Sequence, residues 1–190
     1  NSAPTSGTDA VIPSQPTNQP HVTLNPATPA ACANLTVESG ATLTVDAGKA
    51  LTVSGATANA GTILVKASAS GIGSLLTNGA ISGAGSFQME QYLTGSGGGT
   101  PDGLFYYVSS PIPNATAAVY GVPSNKLWID QEATQDYAPL TFGGIPLDVG
   151  QGYAARMGST GTVTFSGSSF NTGNITEGSL TRTGTTETNR

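Results

Sequence analysis

Apolar and polar positions alternate through the first half of this chain, and the alternation itself repeats every eight residues. Leu35-Thr36-Val37, Leu43-Thr44-Val45 and Leu51-Thr52-Val53 each put Leu and Val on one face and Thr on the other, the pattern of a strand with one buried side. Short turns containing Gly40 and Gly48 join them. The segments 62–65, 73–76 and 85–89 continue the rhythm at a looser spacing. Two architectures carry such a pattern. If neighbouring strings pair, 38–42 and 46–50 are hairpin loops of an antiparallel meander. If three strings make one turn of a winding chain, about 24 residues complete a coil and the chain is a right-handed β-helix, whose core is buried by stacking coils. The links are rich in Gly, Ala, Ser and Asn and lack the Asn-Gly or Asp-Gly pairs of two-residue hairpins, which favours the β-helix.

The second half differs in kind. All twelve aromatic residues lie at or beyond Phe87, and ten of them follow the glycine-rich stretch 95–103. A shift this abrupt, across a stretch with little capacity to pack, marks a domain boundary or a long loop. Strand candidates beyond it are irregular: 105–108, 126–129, 152–156 and 162–165. With 26 glycines and 12 prolines, the chain of 190 residues has little room for helices. The expected fold is therefore all-β. An extended Pro-rich leader spans 1–20, a β-helix-like repeat 21–93, a Gly-rich linker or loop 94–103, and a β-sandwich-like domain 104–190. The four prolines of the leader disfavour regular pairing there.

Charge is sparse, with eleven acidic and six basic residues. No basic stripe exists that could bind nucleic acid through its phosphates. No run of about twenty apolar residues is present to cross a bilayer, and no apolar signal segment stands at the N-terminus. The chain starts at Asn1 without Met, which reads as a mature or excised piece. Cys32 is the single cysteine and has no partner for an internal disulfide; it reads as a small buried hydrophobe rather than a reactive thiol.

A family resemblance rests on several short runs taken together. The leader 5–13 (Thr-Ser-Gly-Thr-Asp-Ala-Val-Ile-Pro) and the run 32–45 resemble the repeat region of large secreted surface proteins of Bacteroidetes. The runs 105–111 (Phe-Tyr-Tyr-Val-Ser-Ser-Pro), 148–154 (Asp-Val-Gly-Gln-Gly-Tyr-Ala) and 162–167, before Asn171-Thr172-Gly173, resemble the module that follows that repeat. The resemblance implies export by the type IX secretion system, a place at the cell surface or in the extracellular matrix, and no established enzymatic activity. The partners it implies are neighbouring modules of a longer polypeptide and the secretion machinery during export. The family's second module continues into a Trp-Asn-Leu-Val-Gly-Asn-Pro-like strand and its cargo ends in a sorting domain. Neither occurs before Arg190, so the chain reads as a fragment.

Catalytic constellations are thin, and no catalytic residue is assigned. His21, the one histidine, lies beside Pro20 in the leader, where a structural or solvated role is expected. Ser109 and Ser110 precede Pro111 outside any nucleophile-elbow context and read as strand-end hydroxyls. A polysaccharide lyase on a β-helix would need Ca²⁺-binding acids and a basic residue on one wall. The repeat half offers Asp9, Glu38, Asp46 and Glu90 with Lys49 and Lys66, and a surface ion pair accounts for Asp46 and Lys49. Asp130, Glu132 and Asp136 are oxygen donors at alternating positions and form the candidate Ca²⁺ site, though the run lacks the central glycine and terminal glutamate of an EF-hand; a solvated loop is the simpler reading. As a glycosidase pair, Asp130 and Asp136 would need a turn that the sequence does not reveal.

Sugar binding is the more serious chemistry. Tyr106, Tyr107, Trp128, Tyr137 and Tyr153 could build an aromatic platform, but alternation along 105–108 must bury one face, so these residues read first as a core. Trp128 and Tyr137, flanking the acidic loop, are the expected exposed exceptions, and with Asp130 they form the candidate ligand site. The Asn-X-Thr runs at Asn34, Asn114 and Asn174 match the N-glycosylation pattern and read as incidental. The function expected is a non-enzymatic structural or adhesive module, a rigid scaffold able to meet copies of itself. Its alternatives are a carbohydrate-binding module of a surface enzyme and a lyase.

Overall fold

A computed structural model describes residues 4–25, 27–96, 104–131 and 136–171. They divide into two compact units: residues up to Tyr92 together with Thr162–Phe170, and Leu93–Gly161 with Asn171. Among the described residues no helix is long and apolar enough to cross a membrane.

The first unit is a β-solenoid of about three turns. Its first coil carries β1 (Ala10–Ile12), β2 (His21–Val22) and β3 (Ala30–Cys32). The second carries β4 (Leu35–Val37), β5 (Thr42–Val45) and β6 (Ala50–Val53), which are the three repeated strings. The third carries β7 (Thr57–Asn59) and β8 (Thr62–Val65), a small hairpin of β9 (Ala67–Ser68) and β10 (Gly71–Ile72), and then β11 (Ser74–Thr77). A further coil begins with β12 (Ile81–Ser82) and β13 (Ser86–Leu93).

Strings consecutive in sequence do not pair with one another. Each lies in a different sheet and pairs in parallel with its counterpart one coil on: Leu35 beside Thr57, Leu43 beside Ile63 and Leu51 beside Leu75. The meander is thereby excluded for this region and the winding architecture stands. The sheets run β1-β4-β7-β12, β3-β6-β11 and β2-β5-β8-β13, the last continued by the late segment Gly161–Gly167.

The inward residues stack into ladders because the register repeats. Leu43, Ile63 and Phe87 form one, Val45, Val65 and Met89 another, and Cys32 lies beside Val53 in a third. Val45, Val53, Ile63, Val65 and Phe87 are fully buried, and each such aliphatic or aromatic side chain contributes about 1.5–3 kcal/mol through burial. Phe170 meets Phe87 edge-on at 4.8 Å between ring centroids. Corners demand glycine where one coil crosses the next; a Cβ on Gly61 would run into the carbonyl oxygens of Ala41 and Glu38.

The leader differs from the sequence expectation. Ala10–Ile12 pairs in parallel with Leu35–Val37, so part of 1–20 belongs to the first coil. The prolines fall outside the strand: Pro4 and Pro13 lie on either side of it, and its own three residues retain their N–H groups.

The second unit holds one four-stranded antiparallel sheet among its described residues. Its strands are β14 (Tyr106–Val108), β15 (Lys126–Gln131), β16 (Asp136–Pro139) and β17 (Tyr153–Arg156), in the order β14-β17-β15-β16. A short 3-10 turn, Ala117–Tyr120, precedes β15. Leu127, Tyr153 and Ala155 supply the buried side of the sheet, and the same unit buries Ile112, Tyr120 and Leu147.

Of the stretch expected as a linker, Thr94–Ser96 is tied down. Thr94 N–H donates to Tyr106 Oη, Gly95 N–H to Thr160 Oγ1 and Ser96 N–H to the Met157 carbonyl. Residues 97–103 lie outside the described part. The strand expected at 162–165 is β18 (Gly161–Gly167), and it returns to the solenoid sheet beside β13 rather than staying with the second domain. Its alternation explains this: Val163 and Phe165 are buried while Thr162, Thr164 and Ser166 are exposed, which suits a solenoid wall.

Candidate functional site

Strand β15 reads Lys-Leu-Trp-Ile-Asp-Gln, and Leu127 is buried. Alternation therefore sends Lys126, Trp128 and Asp130 to the opposite, outer side. The antiparallel register extends that side across the sheet. Tyr107, Ala154, Trp128 and Pro139 form one row, with Lys126 opposite Arg156 on one flank and Asp130 opposite Tyr137 on the other. Tyr107 is 80% exposed, Phe105 49% and Tyr137 46%. Ala154, between Tyr107 and Trp128 in this row, is itself buried beneath its neighbours. The spacings of a sheet make this surface about 14 Å across the four strands and about 13 Å along them.

Local interactions organise the face. Phe105 and Trp128 lie 5.4 Å apart between centroids at a tilt of 60°. The guanidinium carbon of Arg156 sits 3.9 Å over the Phe105 ring, a cation–π geometry. Tyr107, first as a hydrogen-bonding partner and then through its charge, holds the Tyr137 phenol above its ordinary range, with desolvation and the Asp130 carboxylate adding to it. The result is an exposed aromatic surface with cations at one end and a carboxylate at the other. It can stack a flat, partly apolar ligand and hold polar groups at its rim; it presents no nucleophile paired with a base.

The structure thus brings Trp128, Tyr137 and Asp130 onto one face, with Tyr137 and Asp130 exposed and Trp128, expected to be exposed, half-buried against Phe105. Tyr153 is buried, its hydroxyl accepting from Asp148 N–H, and Tyr106 is half-buried. Phe105, Lys126 and Arg156 belong to the face and were not singled out from the sequence. The parity of Lys126 with Trp128 was a usable signal; Phe105 and Arg156 needed the cross-strand register. Of the candidate Ca²⁺ ligands, Glu132 lies outside the described residues. Asp130 and Asp136 fall on opposite sides of the β15–β16 hairpin, and an Asp136 carboxylate oxygen accepts from Tyr137 N–H at 2.7 Å. Among the described residues no three His, Cys, Asp or Glu side chains cluster to hold a metal.

In the solenoid all four acids are fasteners between coils. Asp9 accepts from the backbone and side-chain amides of Asn34, Glu38 from Ser14 N–H and Glu90 from Ala67 N–H, while Asp46 faces His21 Nδ1 at 3.1 Å. The ion pair expected between Asp46 and Lys49 is replaced by this contact, and Lys49 Nζ donates to Asn25 Oδ1. The coil repeat is the reason: a side chain reaches its counterpart one turn away as readily as its neighbour in the turn. Cys32 is buried, and burial first, then Asp9, pushes its thiol up. Ser110 is buried with its hydroxyl donating to the Ile112 carbonyl.

A family model described as a domain of unknown function, DUF8693, matches residues 1–190. The chain belongs to that family. No curated protein and no solved structure matches this DUF8693 chain significantly.

Proposed function

We propose that the chain is a non-enzymatic structural and adhesive module of a secreted bacterial cell-surface protein, in which the solenoid is a rigid spacer and the second unit carries the contact surface. The observation that supports this most is the use of the solenoid's acids: Asp9, Glu38, Asp46 and Glu90 are each spent on cross-coil contacts, so the wall that a lyase would need for catalysis serves cohesion. The resemblance to Bacteroidetes surface proteins places export by the type IX system within the same proposal. Right-handed winding and a sandwich-like closure of the second unit belong to it as well. Strands β1, β2 and β3 each end their sheet, and an edge of that kind accepts a strand from another copy.

Immunolabelling of intact, unpermeabilised source cells tests the reading. Surface label is expected, and label appearing solely after permeabilisation would overturn it. Sedimentation of the purified chain tests self-assembly, with a monomer at all concentrations counting against that element. The second reading, a carbohydrate-binding module of a surface enzyme, is favoured by the exposed rings of Tyr107 and Tyr137 and the half-buried ring of Trp128 on one sheet face. Saturable binding on a glycan array, lost in Trp128→Ala, is its expected result.

A further inference from the structure

Lys126 and Arg156 are directly opposite one another on neighbouring strands. Like charges in that position destabilise a sheet. The chain has six basic residues against eleven acidic ones, yet among the described residues this pair meets no carboxylate: neither side chain makes an ion pair or hydrogen bond with any of them, and Arg156 Nε is buried without a partner there. Stacking on Phe105 fixes the guanidinium beside the aromatic floor without neutralising it.

We infer that the outer face of the β14-β17-β15-β16 sheet binds a carboxylated polysaccharide, with Lys126 and Arg156 receiving a uronate carboxylate and Trp128 and Tyr107 stacking the adjoining sugar rings. The inference rests on the adhesive reading above and names the ligand class of its contact surface. Charge complementarity selects the ligand. A planar guanidinium beside an ammonium suits a carboxylate, exposed rings suit the C–H faces of pyranoses, and Asp130, about 13 Å along β15 from Lys126, accepts from sugar hydroxyls. Tyr107 and Tyr137 carry the other titratable side chains on the face. A neutral glycan would leave the cationic end of this surface unmatched. The Lys126–Arg156 pair attracts a polyanion locally although the chain carries a net charge of −5, and salt screens that local attraction.

The test is calorimetric titration of the purified chain with oligogalacturonate, alginate and hyaluronate oligomers, with the methyl ester of oligogalacturonate and a sulfated dextran as comparison probes. At least one carboxylated probe is expected to bind about tenfold tighter than the ester or the sulfated probe, and Lys126→Gln to erase that preference. Lys126 is exposed, so this variant keeps its fold, checked by far-UV circular dichroism. Trp128→Ala is expected to weaken the acidic and esterified forms alike. Equal binding of acid and ester, tighter binding of the sulfated probe, or no binding by any carboxylated probe overturns the inference. None of these outcomes touches the surface-module reading, which the cell-labelling experiment decides separately.

Discussion

Two inward positions on one strand of the solenoid should respond to substitution with opposite signs. Thr57 and Asn59 are both fully buried in β7, two residues apart on its inner side. Thr57 lies in register between Leu35 and Ile81, and its hydroxyl has no hydrogen-bond partner. Asn59 is satisfied: its Nδ2 donates to the Ser86 carbonyl at 3.0 Å and its Oδ1 accepts from Gly61 N–H at 3.1 Å. An unpaired buried hydroxyl costs about 1–3 kcal/mol, and Val keeps the β-branched shape, so Thr57→Val should stabilise the chain by about 1 kcal/mol. Asn59→Ala strands a carbonyl and an N–H and opens a cavity, and should cost about 2–4 kcal/mol. For a chain of this size 1 kcal/mol moves the melting temperature by about 2–4 °C, so the expected shifts are about +3 °C and about −10 °C. Thermal melts followed by far-UV circular dichroism, backed by urea unfolding with the slope compared between variants, read both. A lower melting temperature for Thr57→Val would mean that its hydroxyl is paired, and a neutral Asn59→Ala would mean that its two bonds do not hold the corner. Either result would refute the argument from polar satisfaction.

Three further outcomes follow from the same structure. Cys32 in the native chain should react with a thiol reagent on the order of 100-fold more slowly than in denaturant, since burial and Asp9 disfavour the thiolate; comparable rates would contradict its burial. Burial first, and Tyr153 second, push the Tyr120 phenol far above its ordinary value of 10.0, so the folded chain keeps this proton where the unfolded chain loses it. The stability it contributes is whole below that value and declines as pH rises beyond it; urea midpoints should be lower at about pH 11 than at about pH 9, and a constant midpoint would refute the assignment. Gly61→Ala should cost more than about 2 kcal/mol, because the added Cβ meets two backbone carbonyl oxygens that cannot swing aside, and hydrogen exchange should show lost protection across β7 and β8.

The repeated strings were legible because each puts one residue type on each face, and the stacked core follows from them directly. Pairing partners were less so, since an eight-residue rhythm serves a hairpin and a coil equally; the decision lies in contacts such as Leu35 with Thr57, where the repeat has already decayed from Leu-Thr-Val to Thr-Ala-Asn. That decay hid β7, just as flanking prolines hid β1. On the candidate face, the parity of Lys-Leu-Trp-Ile-Asp-Gln sufficed to bring Trp128 and Asp130 to one side. Tyr107 could not be told from Tyr106 without knowing which of them faces the buried side of the sheet, and the meeting of Lys126 with Arg156 joins residues thirty positions apart through an antiparallel register that no local pattern encodes.

The solenoid is not continuous in sequence: the chain leaves it after β13 and comes back with β18 to lie against that same strand. The edge of one of its three sheets is therefore covered by a segment distant in sequence, while the coils before it pair with their immediate neighbours. Such an arrangement behaves as a ruler with a fixed stop. Duplicating or deleting a middle coil changes the solenoid's length in steps of about 4.8 Å without disturbing the pairing of the closing strand with β13, so the length of this unit can vary while its last contact is kept.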